Sequence, residues 1–599
     1  MRVLSGLFLI LVTYFTTNFF LNQKIPQWKV SISEIMEEMG DFSPEKIPAL
    51  RVKTEESFPK FFPFSCIQNI LEEAEKLFVE IEKIKTMNIV FSEESLDIQN
   101  VWEAFASLRK IETQLDKILA NAKRIPAFLL TEEQKFKKKG FMEKVMSSKS
   151  WVKDGLRFEK ILQTFSKNNE RVLVLLQNQN EPRSTGGFVG SFLIFDFDNQ
   201  TITWKFSDVY ELDRKVPENA QLIAPTFFHG LSQTISLRDA NFWPDFPISA
   251  KRYRDFFEVI DEKVPGTILA INLNFISEIL KITGPVKLDL WNIEMTTFNF
   301  DMVLQFLVES KVAGRFDVKK PVQIFAESLL KKIQEDSFEK QQLKNFNWRT
   351  FLKEKQILAH SQNISLQKLF EKWKIDGGLR KKREADNFLY FDFVSIGANK
   401  SEKFMWTNIW HDSEIQQNGK VKNIIGIKRT HALKDGEIYA ALGWEYWFQN
   451  LKNLMTDSLL WKLGAGENRT VIRIYVPKMA ELVKFYNPSG NIEEVVLEKG
   501  DFKIFEVPMN VLPGESLEVR FVYNTKLNRG SHSWRPYFLQ VVGSPGKSQT
   551  KFLETISTRN DGTFSAKTQN IGRPIDLVDS DFRTVIEFPQ GNTEKKQKG

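Results

Sequence analysis

Val172-Leu-Val-Leu-Leu176, the loop Glu181-Pro-Arg-Ser-Thr-Gly-Gly-Phe-Val-Gly190 and the aromatic, β-branched run that continues to Phe197 decide how this chain folds. The first run is apolar throughout and of strand length, which predicts a strand buried on both faces. The last run ends at the turn signal Asp198-Asn199-Gln200, so Thr201 to Phe206 is expected as its antiparallel partner. Between the strands, Gly186-Gly187 can take positive φ and present successive N–H groups, and Arg183 carries a planar fork that matches carboxylate or phosphate. An anion site at a strand end is one expectation. A tight turn or bulge without a ligand is the other.

Two further polar segments follow, Ser207-Asp-Val-Tyr-Glu-Leu-Asp-Arg214 and Leu237-Arg-Asp-Ala-Asn-Phe-Trp-Pro-Asp-Phe-Pro247. In the functional expectation, Arg183, Thr185, Gly186, Gly187 and Asn241 hold a ligand, Asp208, Arg238 and Asp239 are catalytic, and Asp208 with Asp245 bind Mg²⁺. Mg²⁺ takes oxygen ligands and arginine clamps phosphate in a bidentate way, which is why these residue types point to that chemistry. The structural alternative is a set of salt bridges and helix caps that staple loops.

Outward from this centre, strands alternate with helices: a strand over Thr267–Ile271, a helix over Phe275–Ile282, a strand over Val286–Leu290 and a helical stretch over about Phe300–Phe351. A strand near Gln356–His360 and a helix near Leu366–Trp373 complete an α/β sandwich with a mixed sheet and a helical insertion, over residues 168–385. Upstream, Ile70, Leu71, Ala74, Leu77, Phe78, Ile81 and Ile84 recur at helical spacing, as do Val101, Phe105, Leu108, Ile111, Leu115, Ile118 and Leu119. With a third helix over about Lys144–Ser166, these predict a helical hairpin stalk over 65–167; a dimerising coiled coil is the alternative. Lys135-Phe-Lys-Lys-Lys139 reads as a headgroup-binding patch or as a solvated helix face.

From Asn387 the helical period gives way to short β runs separated by Gly, Asn and Pro turns, which predicts a C-terminal β-sandwich over 386–588. Residues 589–599 form a polar tail expected to be disordered, and the proline-rich 24–64 is a connector. Val3 to Leu21 carries no charge and is long enough for one membrane-spanning helix, so 1–23 reads as an uncleaved signal anchor in the cytoplasmic membrane, with a cleaved signal as the alternative. In either case the rest of the chain lies outside that membrane. The fold class is therefore α+β and multidomain.

Of the 599 residues, 42% are hydrophobic and 27% charged, which places the chain among globular proteins with about three or four folding units. The net charge of +7 is small for the length and interspersed, so no nucleic-acid partner is implied. With Cys66 as the one cysteine, no internal disulfide or thiolate metal cluster can form.

Leu175-Leu-Gln-Asn178, Glu181-x-Arg183-x-Thr185-Gly-Gly-Phe188-x-Gly190, Asp208-Val-Tyr210 and Arg238-Asp-Ala-Asn241-x-x-Pro-Asp-Phe-Pro247 resemble a bacterial domain-of-unknown-function family of membrane-anchored envelope proteins, over about residues 140–395. That family implies no activity. More distantly, the order of elements resembles the LytR-CpsA-Psr enzymes, which transfer glycopolymers from polyprenyl pyrophosphate carriers to peptidoglycan. Arg183-Ser-Thr185, Asp208-Val-Tyr210 and Thr283-Gly-Pro-Val286 lie where their motifs would fall. The first motif's aspartate has no counterpart, and Ser207 stands where the second has its arginine. This resemblance implies an envelope protein that binds a polyprenyl-linked or cell-wall glycan ligand and transfers it with Mg²⁺. A structural or adhesive protein acting through its β-sandwich is the alternative.

Overall fold

The structure, a computed structural model, describes residues 62–87, 95–125, 127, 132–198, 200–314, 318–334, 352, 354–416, 419–434, 454–487, 495–527, 537–545, 550–558 and four short pieces between 565 and 587. The expected membrane anchor, the connector up to residue 61 and the C-terminal tail lie outside them. Among the described residues, no helix is long and apolar enough to cross a membrane.

The first part begins with helix α1 (Phe62–Thr86), strand β1 (Ser95–Asp97), and helices α2 (Gln99–Arg124) and α3 (Glu132–Lys167). The hairpin strands β2 (Arg171–Asn178), β3 (Phe188–Phe197) and β4 (Thr201–Asp208) follow, then the short helix α4 (Val209–Asp213) and helix α5 (Phe246–Val259). Strand β5 (Thr267–Asn272), helices α6 (Leu273–Thr283), α7 (Phe300–Glu309) and α8 (Lys320–Gln334), strand β6 (Ile357–Ser361) and helix α9 (Ile364–Trp373) complete it. The strands form one mixed sheet in the order β1-β4-β3-β2-β5-β6, in which β2 and β5 run parallel and every other neighbouring pair antiparallel.

Alternation along β2 explains the layers. Val172 and Val174 join Leu193, Phe195 and the buried stripes of α1, α2 and α3 in one apolar cluster, while Leu173 and Leu175 join Phe192, Tyr253 and Phe257 in another. Successive strand side chains point to opposite faces, so a run without polar breaks needs cover on both. That need overturns the expected stalk: the N-terminal helices are one layer of the α/β part rather than a spacer below it. Leu96, just before the second helix, is on β1, paired with Ile202 of β4. Lys135 sits on α3 beside Glu132, and Lys138 donates to the Ile125 carbonyl.

The second part holds β7 (Asn387–Ser395), β8 (Met405–Ile415), β9 (Lys420–His431), β10 (Asn468–Pro477), β11 (Glu481–Tyr486) and β12 (Val495–Lys499). It continues with β13 (Phe502–Val511), β14 (Ser516–Lys526), β15 (Tyr537–Val542), β16 (Thr550–Thr558), β17 (Ile575–Asp576) and β18 (Ser580–Thr584). Two six-stranded sheets result, ordered β12-β13-β10-β7-β15-β18 and β11-β14-β9-β8-β16-β17, and they share one buried apolar cluster.

Strand β7 is buried along its whole length. Leu389, Phe391 and Phe393 enter the cluster between the two sheets. The alternate residues face the α/β part, where Val394 joins Phe228 and Phe242. A single strand thus serves two cores, which places the β part directly on the loop at the end of β2.

Candidate functional site

The loop from Glu181 to Gly187 turns tightly back on the end of β2. The Gly186 N–H donates to the Arg183 carbonyl at 2.9 Å and the Phe188 N–H to the Glu181 carbonyl at 2.8 Å. Gly186 has φ of 138°, a conformation open to glycine. A Cβ on Gly187 would stand 2.3 Å from the Asn178 carbonyl oxygen, so that glycine allows backbone to lie on backbone. Both glycines face protein.

Behind them runs a ladder of buried amides. Asn241 Nδ2 donates to the Gly187 carbonyl at 2.7 Å and to Gln177 Oε1 at 3.1 Å; Gln177 Nε2 donates to Asn272 Oδ1 at 3.0 Å; Asn272 Nδ2 donates to Gln356 Oε1 at 3.3 Å. Thr185 adds its hydroxyl to Gln177. Buried polar groups are tolerated when paired in this way, and the ladder fixes the ends of β2 and β5 against the loop.

Arg183 is the centre of the site, and its side chain is 1% exposed. Its Nε donates to Asp239 Oδ1 at 3.1 Å, Nη1 to the Ser395 and Pro182 carbonyls at 3.2 Å each, and Nη2 to Glu181 Oε1 at 3.4 Å. The Phe188 and Phe228 rings stand 5.3 Å and 5.7 Å from the guanidinium. Lys400, from the β part, pairs with the other oxygen of Glu181. Burial works against ionisation of Glu181, but Lys400 and Arg183 outweigh it and hold the carboxyl below its ordinary range. Burial likewise opposes the charge on Arg183, and Asp239 and Glu181 more than restore it. Two cations and two anions close on one another.

The rest of the loop is bonded to β7 and β10. Ser184 Oγ lies 2.5 Å from the Phe242 carbonyl and 3.1 Å from Asp392 Oδ2, and it receives Arg473 Nη2 at 2.7 Å. Arg473 also pairs with Asp392 and lies over the Phe242 ring, with 4.6 Å to the centroid. The Tyr390 hydroxyl donates to the Ser184 carbonyl at 3.3 Å, and the Ser395 N–H to the Pro182 carbonyl at 3.0 Å.

The expected ligand and catalytic residues therefore separate into three places. Arg183, Thr185, Gly186, Gly187, Asp239 and Asn241 meet in this buried knot. Arg238 lies at its margin, 35% exposed, 3.5 Å from Asp239 and bonded to Asp213 Oδ2 at 3.0 Å. Asp208 caps α4 by accepting from the Tyr210 N–H at 3.1 Å. Asp245 stands at the start of α5, where its Oδ2 accepts from the Leu379 N–H at 3.3 Å and burial raises its carboxyl above the ordinary value. Among the described residues, no group of three or more His, Cys, Asp or Glu side chains is arranged to hold a metal ion. With Asp208 capping α4 and Asp245 held by the Leu379 N–H, the donor set does not fit a resident Mg²⁺.

Sequence reasoning missed Ser184, Asp392, Lys400 and Arg473. Up to 289 positions separate the partners, and no local spacing carries such a pairing.

The fold and site together define a two-part protein, a mixed α/β unit and a two-sheet β unit, fastened at a closed polar loop. Residues 167–308, which carry the loop and its α/β partners, match a family described as Protein of unknown function (DUF4012). A search of curated proteins finds no match.

Proposed function

We propose that this chain is a non-catalytic cell-envelope protein, anchored by its N-terminal apolar segment outside the cytoplasmic membrane, that works as one rigid two-part module. In this reading the C-terminal part is a β-sandwich, and Glu181–Gly187 with Leu237–Pro247 form the fastener that holds it on the α/β part. The observation that carries the reading is Arg183, whose Nε, Nη1 and Nη2 make four hydrogen bonds to carbonyls and carboxylates within the protein and whose side chain is 1% exposed. A LytR-CpsA-Psr-like transfer would require that fork to meet a pyrophosphate, and its burial weighs against that role.

Calorimetry of the full-length protein tests the proposal. A fastened module unfolds in one cooperative transition, and Arg183→Met separates it into two. Two independent transitions in the unaltered protein, or an unchanged single transition in the variant, would overturn it.

A further inference from the structure

In the second six-stranded sheet, Ile409 on β8, Ile425 on β9 and Phe521 on β14 point into the cluster between the sheets. Successive side chains alternate, so Trp406 and Trp410 on β8 and Tyr486 on β11 stand on the opposite, solvent side. The α/β part meets the first sheet, at β7, so this face lies on the far side of the β part.

Register sets the three rings. Trp410 lies opposite Gly426 of β9, Gly426 opposite Arg520 of β14, and Arg520 opposite Tyr486 of β11, so one row crosses four strands. A Cβ on Gly426 would fall 2.0 Å from Trp410 Cε2 and Cζ2; the indole lies across bare backbone that any other residue would cover. Arg520, held by Glu518 through Nε at 2.8 Å, stands 5.7 Å from the Trp410 centroid. Trp406 is four residues along the same face of β8, about 13 Å away by strand rise, and Tyr486 is about 14 Å from Trp410 across three strand spacings. Trp406 is 53% exposed and Tyr486 44%.

The residues between the rings name the ligand. Asn408, Lys428 and Glu518 form the adjoining row, between Trp406 and the Trp410 row. The core of a protein interface is depleted of such charged groups, which weighs against a protein partner. Asp412 and Glu518 stand among Lys428, Lys484 and Arg520 on this face, a near balance that weighs against nucleic acid and against an anionic lipid surface. Closely spaced donors and acceptors match hydroxyls, each of which donates and accepts. The electronegative face of an aromatic ring attracts the C–H face of a pyranose. A chain of equatorially linked sugars runs straight and leaves those C–H faces free, which suits rings spread over a sheet. We propose that Trp406, Trp410 and Tyr486 form a platform for a neutral, extended glycan of the cellulose or chitin type, with Asn408, Lys428 and Glu518 bonding its polar groups. The platform goes beyond the fastener and does not rest on it, since the two occupy different sheets.

Isothermal titration of the full-length protein with cellohexaose, chitohexaose, glucose and N-acetylglucosamine tests the assignment. At least one hexasaccharide should bind with a Kd of about 1 mM or tighter, and about tenfold tighter than either monosaccharide. The better of the two tells whether hydroxyls or acetamides are preferred. Raising sodium chloride from about 0.1 M to about 1 M should change the affinity by less than about twofold, since no ion pair carries it. Trp406→Ala and Tyr486→Ala should each lose about tenfold while melting like the unaltered protein, because both rings are exposed. Failure of both hexasaccharides to bind, monosaccharides binding as tightly, affinity lost at high salt, or unaltered binding in either variant would overturn the proposal.

Discussion

Arg473 on β10 donates from Nη2 to the hydroxyl of Ser184 at 2.7 Å, although 289 positions of sequence lie between them. The contact ties the second sheet-forming part of the chain to the loop that ends β2. It stands inside a buried polar set: Asp392 pairs with the same guanidinium, and the Phe242 carbonyl accepts from it at 3.0 Å.

Removal of one buried cation from such a set leaves its partners charged and unpaired. Arg183→Met strands Glu181 and Asp239 in a region shut off from water, and a loss of about 3–5 kcal/mol is expected. Urea denaturation followed by circular dichroism measures it. A loss below about 1 kcal/mol, the range of an exposed ion pair, would show that the knot is open to solvent.

The two glycine environments predict opposite signs. Gly187→Ala drives a methyl into the Asn178 carbonyl, and a cost of about 1–3 kcal/mol or more is expected. Gly140, within α3, has nothing within 4 Å of an added Cβ, so Gly140→Ala should stabilise by about 0.5–1 kcal/mol through helix propensity. Melting temperatures of the two variants check both signs at once.

A buried pair in the β part gives a pH dependence. Glu554 Oε2 lies 2.7 Å from His411 Nδ1, and Tyr523 faces the other ring nitrogen at 3.2 Å. Burial pushes Glu554 from 4.5 up to about 7; His411 opposes the shift and Asp412 adds to it. Between those pH values the folded state keeps a proton that the unfolded chain has released, so this group makes stability fall as pH rises through the window. His360 acts oppositely. Burial and Arg254 lower it from 6.5 to about 4, so the unfolded chain binds the extra proton and stability falls as pH drops through that range. Glu554→Gln should remove the first slope and leave the second. Urea midpoints across the range decide, and an unchanged slope in the variant would contradict the assignment.

Magnesium gives a further check. Because Asp208 caps α4 while Asp245 accepts from the Leu379 N–H, neither Mg²⁺ nor EDTA should move the melting temperature. A rise with Mg²⁺ that Asp208→Asn abolishes would contradict this.

What could be read from the residues alone follows physical range. The stripe from Val101 to Leu119 and the apolar run of β2 are local patterns imposed by burial, and both form the elements they predict. Strand β8 carries a weak sequence signal because its inward positions include Thr407, His411 and Ser413, all buried, so polar residues stand where alternation would show apolar ones. The N-terminal helices were legible as helices, but the strand face that receives them is determined by the sheet, not by their own spacing. The charged loop invited a ligand because charges are costly to bury singly; Lys400 and Arg473, which bring the balancing charge and the covering strands, come from far along the chain.

The fastening of the two parts is tested most directly by a double-mutant cycle between Ser184→Ala and Arg473→Met in the full-length protein, read as unfolding free energies. A contact that joins the parts predicts a coupling energy of about 0.5–3 kcal/mol. Additivity within about 0.3–0.5 kcal/mol would mean that the two residues do not sense one another, and would contradict the account.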